Sequence, residues 1–88
     1  MKREEVLAAA QALITRDRAE SYGDAQENFA RIAAIWTAIL DTYIRPEQVA
    51  LMMAGLKIAR LAHDSSSSDG WLDGVGYLAL GAEMVVKE

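Results

Sequence analysis

The chain has 88 residues, of which nine are Lys or Arg and thirteen are Asp or Glu, so its formal net charge of −4 disfavours binding to a nucleic-acid polymer. It contains no cysteine, which excludes disulfides, thiolate metal sites and cysteine nucleophiles and indicates a reducing compartment, the cytoplasm. Hydrophobic residues make up 52% of the chain and aromatic residues only 7%, so small aliphatic side chains must fill the core. This composition predicts one all-α domain over residues 1–88, a compact four-helix fold that homo-oligomerisation completes.

Two helices are predicted in the first half of the chain. The first begins at Arg3 and ends at about Asp17, because apolar residues recur there at steps of three and four. The glycine-containing stretch at 20–24 breaks this pattern, and Ser21 or Asp24 is suited to cap the next helix. The apolar stripe of that second helix predicts an end near Tyr43.

The second half of the chain predicts two more helices. Pro46 suits the first turn of the third helix, and the stretch 49–61 is apolar nearly all round, which predicts a central, buried helix. Ser68 or Asp69 is suited to cap the fourth helix, at about 70–86. This last helix contains several glycines, which predict close approach of neighbouring elements. No signal peptide or membrane span is expected, because the apolar runs are interrupted too early.

Lys57 and Arg60 are the charged side chains within the apolar third helix. A buried cation is costly unless a carboxylate or a bound anion neutralises it. Two interpretations stay open at this point. In the first, both side chains pair with acids of other helices or extend to the surface. In the second, they bind phosphate.

Acidic residues on the flanking helices supply candidate partners. Asp24 and Glu27 are spaced i, i+3 on the second helix, and Asp69 and Asp73 are spaced i, i+4 on the fourth, so each pair shares a face. Three polar side chains continue these faces: Asn28, Arg31 and Tyr77. Acids at these spacings are also common as solvated or ion-paired residues.

A magnesium site is the functional interpretation of these acids. If the two acidic faces meet, Asp24, Glu27, Asp69 and Asp73 offer the oxygen ligands that Mg²⁺ prefers, and the ion would bridge to a nucleotide phosphate. Lys57 and Arg60 would then offset part of the negative charge. Hydrolysis would also require an acid that orients water, and Glu27 is the candidate because it lies one helical turn from Asp24.

Over residues 20–83 the chain resembles small phage and prophage proteins of uncharacterised function. More distantly it resembles nucleotide-modification-associated domains and MazG-like all-α NTP pyrophosphatases. The residues that carry the resemblance are Tyr22, Gly23, Asp24, Asn28, Lys57, Arg60, Asp69, Asp73, Gly76 and Tyr77. MazG-like enzymes are helical oligomers that bind Mg²⁺ through acids on two neighbouring helices and hydrolyse nucleoside triphosphates to monophosphate and pyrophosphate.

The resemblance implies a role for each matching position. Asp24 with Glu27, and Asp69 with Asp73, would hold the metal, while Lys57 would face the phosphates. Arg60 would do the same, and Tyr22 belongs to the same candidate site. The chain departs from the enzyme pattern because it has a single acidic pair on the second helix and i, i+4 spacing in the other pair.

Two classes of function are therefore expected. The first is a nucleotide-binding protein of phage type, with or without Mg²⁺-dependent pyrophosphohydrolase activity, in the cytoplasm of a bacterial host. The second is a non-enzymatic oligomeric interaction protein or ligand-sequestering protein. In both, the expected partner is a second copy of the chain, in a dimer, and neither a nucleic-acid polymer nor a membrane is expected.

Overall fold

A computed structural model describes residues 1–17 and 24–87 of the chain. Its helices are α1 (Arg3–Ala12), α2 (Ala25–Leu40), α3 (Pro46–His63) and α4 (Ser68–Val85). A π-helical segment, Leu13–Asp17, continues α1. The described residues contain no strand. The prediction of an all-α fold with four helices is confirmed, whereas oligomerisation stays a prediction.

The centre of the fold is the antiparallel pair of α3 and α4, which make the most extensive contact between helices. α2 packs on α3, and α1 packs on α4. The core lies where α2, α3 and α4 meet, and its buried side chains are Phe29, Ala33, Val49, Ala50, Ala54, Tyr77 and Leu80. In the part of the chain that the structure describes, no helix is long and apolar enough to cross a bilayer.

Polar residues start α2 and α3 where the sequence places them. The side chain of Asp24 accepts a hydrogen bond from the backbone N–H of Gln26 at 3.4 Å, which confirms Asp24 as the cap of α2. Ser21 lies outside the described residues. Pro46 occupies the first turn of α3, and the backbone N–H of Arg45 donates to the side-chain oxygen of Gln48 at 2.9 Å.

Helix α2 ends at Leu40, earlier than the predicted end near Tyr43. The next residue, Asp41, adopts a left-handed conformation with φ 54°, which terminates the helix. The hydroxyl of Thr37 then accepts a hydrogen bond from the backbone N–H of Ile44 at 2.8 Å. This contact folds the connection to α3 back onto α2, an arrangement that apolar periodicity alone does not reveal.

The start of α4 also differs from the prediction. Ser67, rather than Ser68 or Asp69, is the capping residue, and its hydroxyl accepts a hydrogen bond from the backbone N–H of Gly70 at 3.4 Å. The helix consequently begins at Ser68 instead of about Gly70. Several consecutive residues here are capable of capping, so composition leaves the choice among them open.

Gly76 and Gly81 are among the glycines of α4 that allow other elements to approach closely. A Cβ atom added at Gly81 would lie 2.9 Å from the Cβ of Ala50, and one added at Gly76 would lie 2.8 Å from the Cγ2 of Ile14. Both distances are too short for a real contact, so the prediction of close packing is confirmed at these positions. Gly74 differs, because a Cβ there would make only an ordinary contact.

The prediction that α3 is buried all round is wrong for one face. Val49, Ala50 and Ala54 are fully buried against the rest of the fold. On the opposite side, Leu51 and Ile58 have 58% and 60% of their surface exposed. An apolar sequence indicates that a helix is covered, but it does not say whether the same chain covers it.

Candidate functional site

Lys57 and Asp73 form the ion pair at the junction of α3 and α4. The Nζ of Lys57 lies 3.1 Å from the Oδ2 of Asp73, and the two side chains are only 17% and 19% exposed. The prediction that Lys57 pairs with an acid of another helix is therefore confirmed. In such a poorly solvated position each charge stabilises the other, since a charge is costly to remove from water without compensation.

Arg60 does not share this environment, although it lies on the same helix. Its side chain is exposed, and none of the carboxylates in the described residues lies at ion-pair distance from it. Residues three positions apart on an α-helix point in directions that differ by about 60°, so the side chain of Arg60 is turned away from α4 relative to that of Lys57. The predicted pairing of Arg60 is absent there, and Arg60 instead lines a shallow concavity with His63 and Asp64.

The four predicted metal ligands occupy separate environments. Asp24 caps α2 and is exposed, Glu27 is exposed in the first turn of α2, and Asp69 is exposed in the first turn of α4. Acids at these positions are favourable because helix N-termini carry partial positive charge. Asp73 contacts Lys57. Within the described ranges no three carboxylates or imidazoles are grouped to hold a metal ion, and the magnesium site stays a prediction.

The remaining candidates are also dispersed. Tyr77 is buried in the core, with its ring centroid 6.3 Å from that of Phe29. Asn28 is partly buried and Arg31 is exposed, both on α2. Tyr22 lies outside the described residues. Tyr77 therefore contributes to packing between α2 and α4, whatever further role it has.

The turn between α3 and α4 is fixed by Asp64. Its carboxylate accepts hydrogen bonds from the hydroxyl of Ser66 at 2.6 Å and from the backbone N–H of Ser66 at 3.0 Å. The hydroxyl bond, followed by the backbone bond, lowers the pKa of Asp64 below the usual aspartate value. The indole N–H of Trp71 donates to the carbonyl of Ser65 at 2.9 Å, which ties α4 to the same turn.

An apolar surface lies on α3, at a place that the sequence did not predict. It comprises Leu51, Met52, Gly55, Leu56, Ile58, Ala59 and Ala62, which are all exposed, and we call it the α3 outer face. No charged residue interrupts it, since Glu47 precedes it and Arg60 lies at its edge. The sequence features that point to this surface are the lack of charged residues from 48 to 56 and the glycine in the middle of the helix, Gly55.

A small apolar cavity lies beside this surface. It has a volume of about 210 Å³ and lies between α3 and α4, where Leu51, Leu78 and Val85 contribute to its walls. Leu51 belongs both to this cavity and to the α3 outer face. The apolar surface therefore continues from α3 into the groove between the two helices.

Known relatives of this chain include two phage proteins called Gene 55 protein. The one from Mycobacterium phage L5 is 39% identical over 84 residues, which are 94% of this chain and 54% of the relative. The one from Mycobacterium phage D29 is 36% identical over 74 residues, which are 84% of this chain and 49% of the relative. The chain thus spans about half the length of these curated relatives. No solved structure matches the chain.

These findings confirm the expected similarity to small phage proteins. The names of the two relatives state neither nucleotide modification nor a MazG-like activity. A family model described as a domain of unknown function, DUF6378, matches residues 5–85, which is nearly the whole chain. The chain therefore belongs to the DUF6378 family.

Proposed function

We propose that the protein acts as a non-enzymatic interaction protein that assembles with a second copy of itself through the α3 outer face. The single observation that carries this proposal is the exposure of that face. A surface helix of a globular protein normally turns charged and polar residues to water. Here the exposed side of α3 carries Leu51, Met52, Leu56 and Ile58 instead.

Covering this face would be energetically favourable. Burial of apolar surface contributes about 25 cal/mol per Å² to association, before the entropic cost of bringing two chains together. The chain exposes 6366 Å², whereas a globular monomer of its 9.6 kDa would expose about 5,100 Å². The excess, which is spread over the whole surface of the chain, is greater than the roughly 800 Å² that one partner contributes to a standard interface.

A second copy is the occupant that fits this surface best. Every copy carries the same face, and a twofold axis brings the two faces together so that one contact covers both. The face contains no charge that would require an opposite charge on a different partner. The interaction protein is accordingly a symmetric dimer.

The test uses two identical substitutions on different helices. Ile58 lies on the α3 outer face, whereas Ile39 is 72% exposed on α2 and serves as the matched control. We expect light scattering to give the mass of two chains for the native protein and for Ile39→Glu, and the mass of one chain for Ile58→Glu. Dissociation by Ile39→Glu alone would move the interface to α2 and contradict the assignment to α3.

Magnesium-dependent nucleotide binding is the second candidate function. The contact of Lys57 with Asp73 places one predicted phosphate-binding cation 3.1 Å from one predicted metal ligand, and the same contact also neutralises both charges within the chain. Arg60 and His63 line a separate concavity at the same end of α3, together with Asp64. No catalytic step follows from this arrangement, since the described acids do not form a metal-binding group.

Calorimetry decides between the two candidates. The native protein, Asp73→Asn and Glu27→Gln are titrated with nucleoside triphosphates in the presence of Mg²⁺, and pyrophosphate release is followed in parallel. Nucleotide binding that Asp73→Asn abolishes would support the second candidate, and product release that Glu27→Gln abolishes would support catalysis. If the protein is an interaction protein without nucleotide binding, we expect no heat of nucleotide binding and no pyrophosphate release.

A further inference from the structure

Gly55 is the feature of the α3 outer face that the single chain leaves unexplained. It lies in the interior of a regular α-helix, where glycine costs about 1 kcal/mol relative to alanine. A Cβ atom added at Gly55 would meet nothing within 4 Å, in contrast to the glycines of α4 that face other helices. Nothing in the described fold therefore requires a glycine at this position.

Gly55 also lies at the centre of the exposed arc. Successive residues are separated by about 100° around a helix, so Leu51 and Ala62 lie within about 40° of Gly55, and Ala59 is similarly close. The middle of the face is consequently shallow, with Gly55, Ala59 and Ala62 in a row, and larger side chains border it. A second helix could approach the backbone of α3 closely along this row.

We infer that the α3 helices of two copies pack antiparallel across a twofold axis that passes beside Gly55, an inference that rests on the proposed self-association. In this arrangement positions at equal distances from Gly55 face each other. Leu51 and Met52 of one copy then border the small Ala59 of the other. Large side chains thus meet small ones near the axis.

The charges at the ends of α3 favour the antiparallel orientation. The first turn of α3 carries Glu47, and the last turn carries Arg60 and His63. An antiparallel pair brings Glu47, which also contacts Arg45 of its own chain at 3.2 Å, towards His63 of the other copy, and it also opposes the helix dipoles favourably. A parallel pair would place Glu47 beside Glu47 and align the two helix dipoles, which is repulsive.

Cysteine cross-linking tests the orientation, because the natural chain contains no cysteine that could interfere. Leu51→Cys and Ala59→Cys are prepared separately, mixed, and oxidised mildly. A disulfide requires Cα atoms within about 7 Å. In the antiparallel pair, position 51 of one copy meets position 59 of the other, whereas the two copies of position 59 are about 12 Å apart along the axis.

We expect the mixture to give a cross-linked dimer and Ala59→Cys alone to give little. Gly55→Cys alone should also cross-link, because position 55 meets its own copy at the axis. If the side chain added at position 55 holds the helices apart, the mixture of Leu51→Cys and Ala59→Cys still decides the test. Efficient cross-linking of Ala59→Cys alone would mean either a parallel pair or an axis beside position 59, and either result would overturn the inference. A dimer by light scattering without any of these cross-links would overturn this interface and leave self-association intact, whereas a monomeric native protein would remove both proposals.

Discussion

Lys57 and Arg60 lie on the same helix, but they are expected to contribute very differently to stability. Lys57 is poorly solvated and contacts Asp73 at 3.1 Å, whereas Arg60 is exposed. Removal of one member of a poorly solvated pair leaves the other charge without that compensation. We expect Lys57→Met to lower the free energy of unfolding by about 2–3 kcal/mol, as measured by urea denaturation.

Arg60→Met is the matched control for this measurement. The substitution removes the same charge from the same helix, but at a position where none of the carboxylates in the described residues forms an ion pair. Surface substitutions of this kind change stability by about 0.5 kcal/mol or less. Equal effects of the two substitutions would show that the contact between Lys57 and Asp73 contributes little.

The hydroxyl of Ser66 is expected to control the titration of Asp64. Because its hydrogen bond is the main cause of the lowered pKa of Asp64, Ser66→Ala should raise that pKa towards the usual aspartate value. The folded pKa lies below the unfolded one, so the stabilisation is present above the unfolded pKa of about 3.9 and is lost as the pH falls through the folded pKa. NMR titration of the Asp64 carboxyl carbon in both proteins measures the shift, and identical titration curves would exclude the hydroxyl as its cause.

At the scale of single helices, replacing a glycine by alanine is expected to have opposite effects on stability in α3 and α4. Gly81→Ala would place a Cβ 2.9 Å from the Cβ of Ala50, and neither helix backbone can move away cheaply. Such overpacking typically costs about 1–3 kcal/mol, which exceeds the helix-propensity gain of at most about 1 kcal/mol. We therefore expect Gly81→Ala to destabilise the fold.

Gly55→Ala is expected to have the opposite sign in a single chain. A Cβ at Gly55 meets nothing within 4 Å, so only the gain in helix propensity, up to about 1 kcal/mol, remains. The two glycine substitutions should be compared by denaturant unfolding in the Ile58→Glu background, where association is expected to be absent. A loss of stability from Gly55→Ala in that background would mean that Gly55 is constrained within the chain itself.

The helices of this fold could be predicted from periodicity and capping residues, but some of their ends could not. Asp24 and Pro46 start α2 and α3 as expected. The end of α2 depends on the left-handed Asp41 and on the contact of Thr37 with Ile44, which no apolar pattern encodes. A helix boundary that tertiary hydrogen bonds determine is therefore less predictable than one that a local cap determines.

At the scale of the whole molecule, the sequence indicated that a cation of α3 requires a partner but not which one, since Lys57 is paired and Arg60 is exposed. The pairing of Lys57 with an acid on α4 could be anticipated because a cation in an apolar helix must be neutralised. The spacing of Asp24, Glu27 and Asp69 could not show whether these acids meet, since each position is also favourable at a helix N-terminus. The prediction of apolar surface left for self-association came from composition, whereas its position on α3 required the fold.

The mass of the native protein in solution tests the central claim most directly. Sedimentation equilibrium at micromolar concentration is predicted to give twice the 9.6 kDa of one chain, because the α3 outer face of each copy is covered by the other. Dilution should then shift the population towards single chains by mass action. A mass of 9.6 kDa throughout the micromolar range would show that the face stays exposed and would contradict self-association as the basis of function.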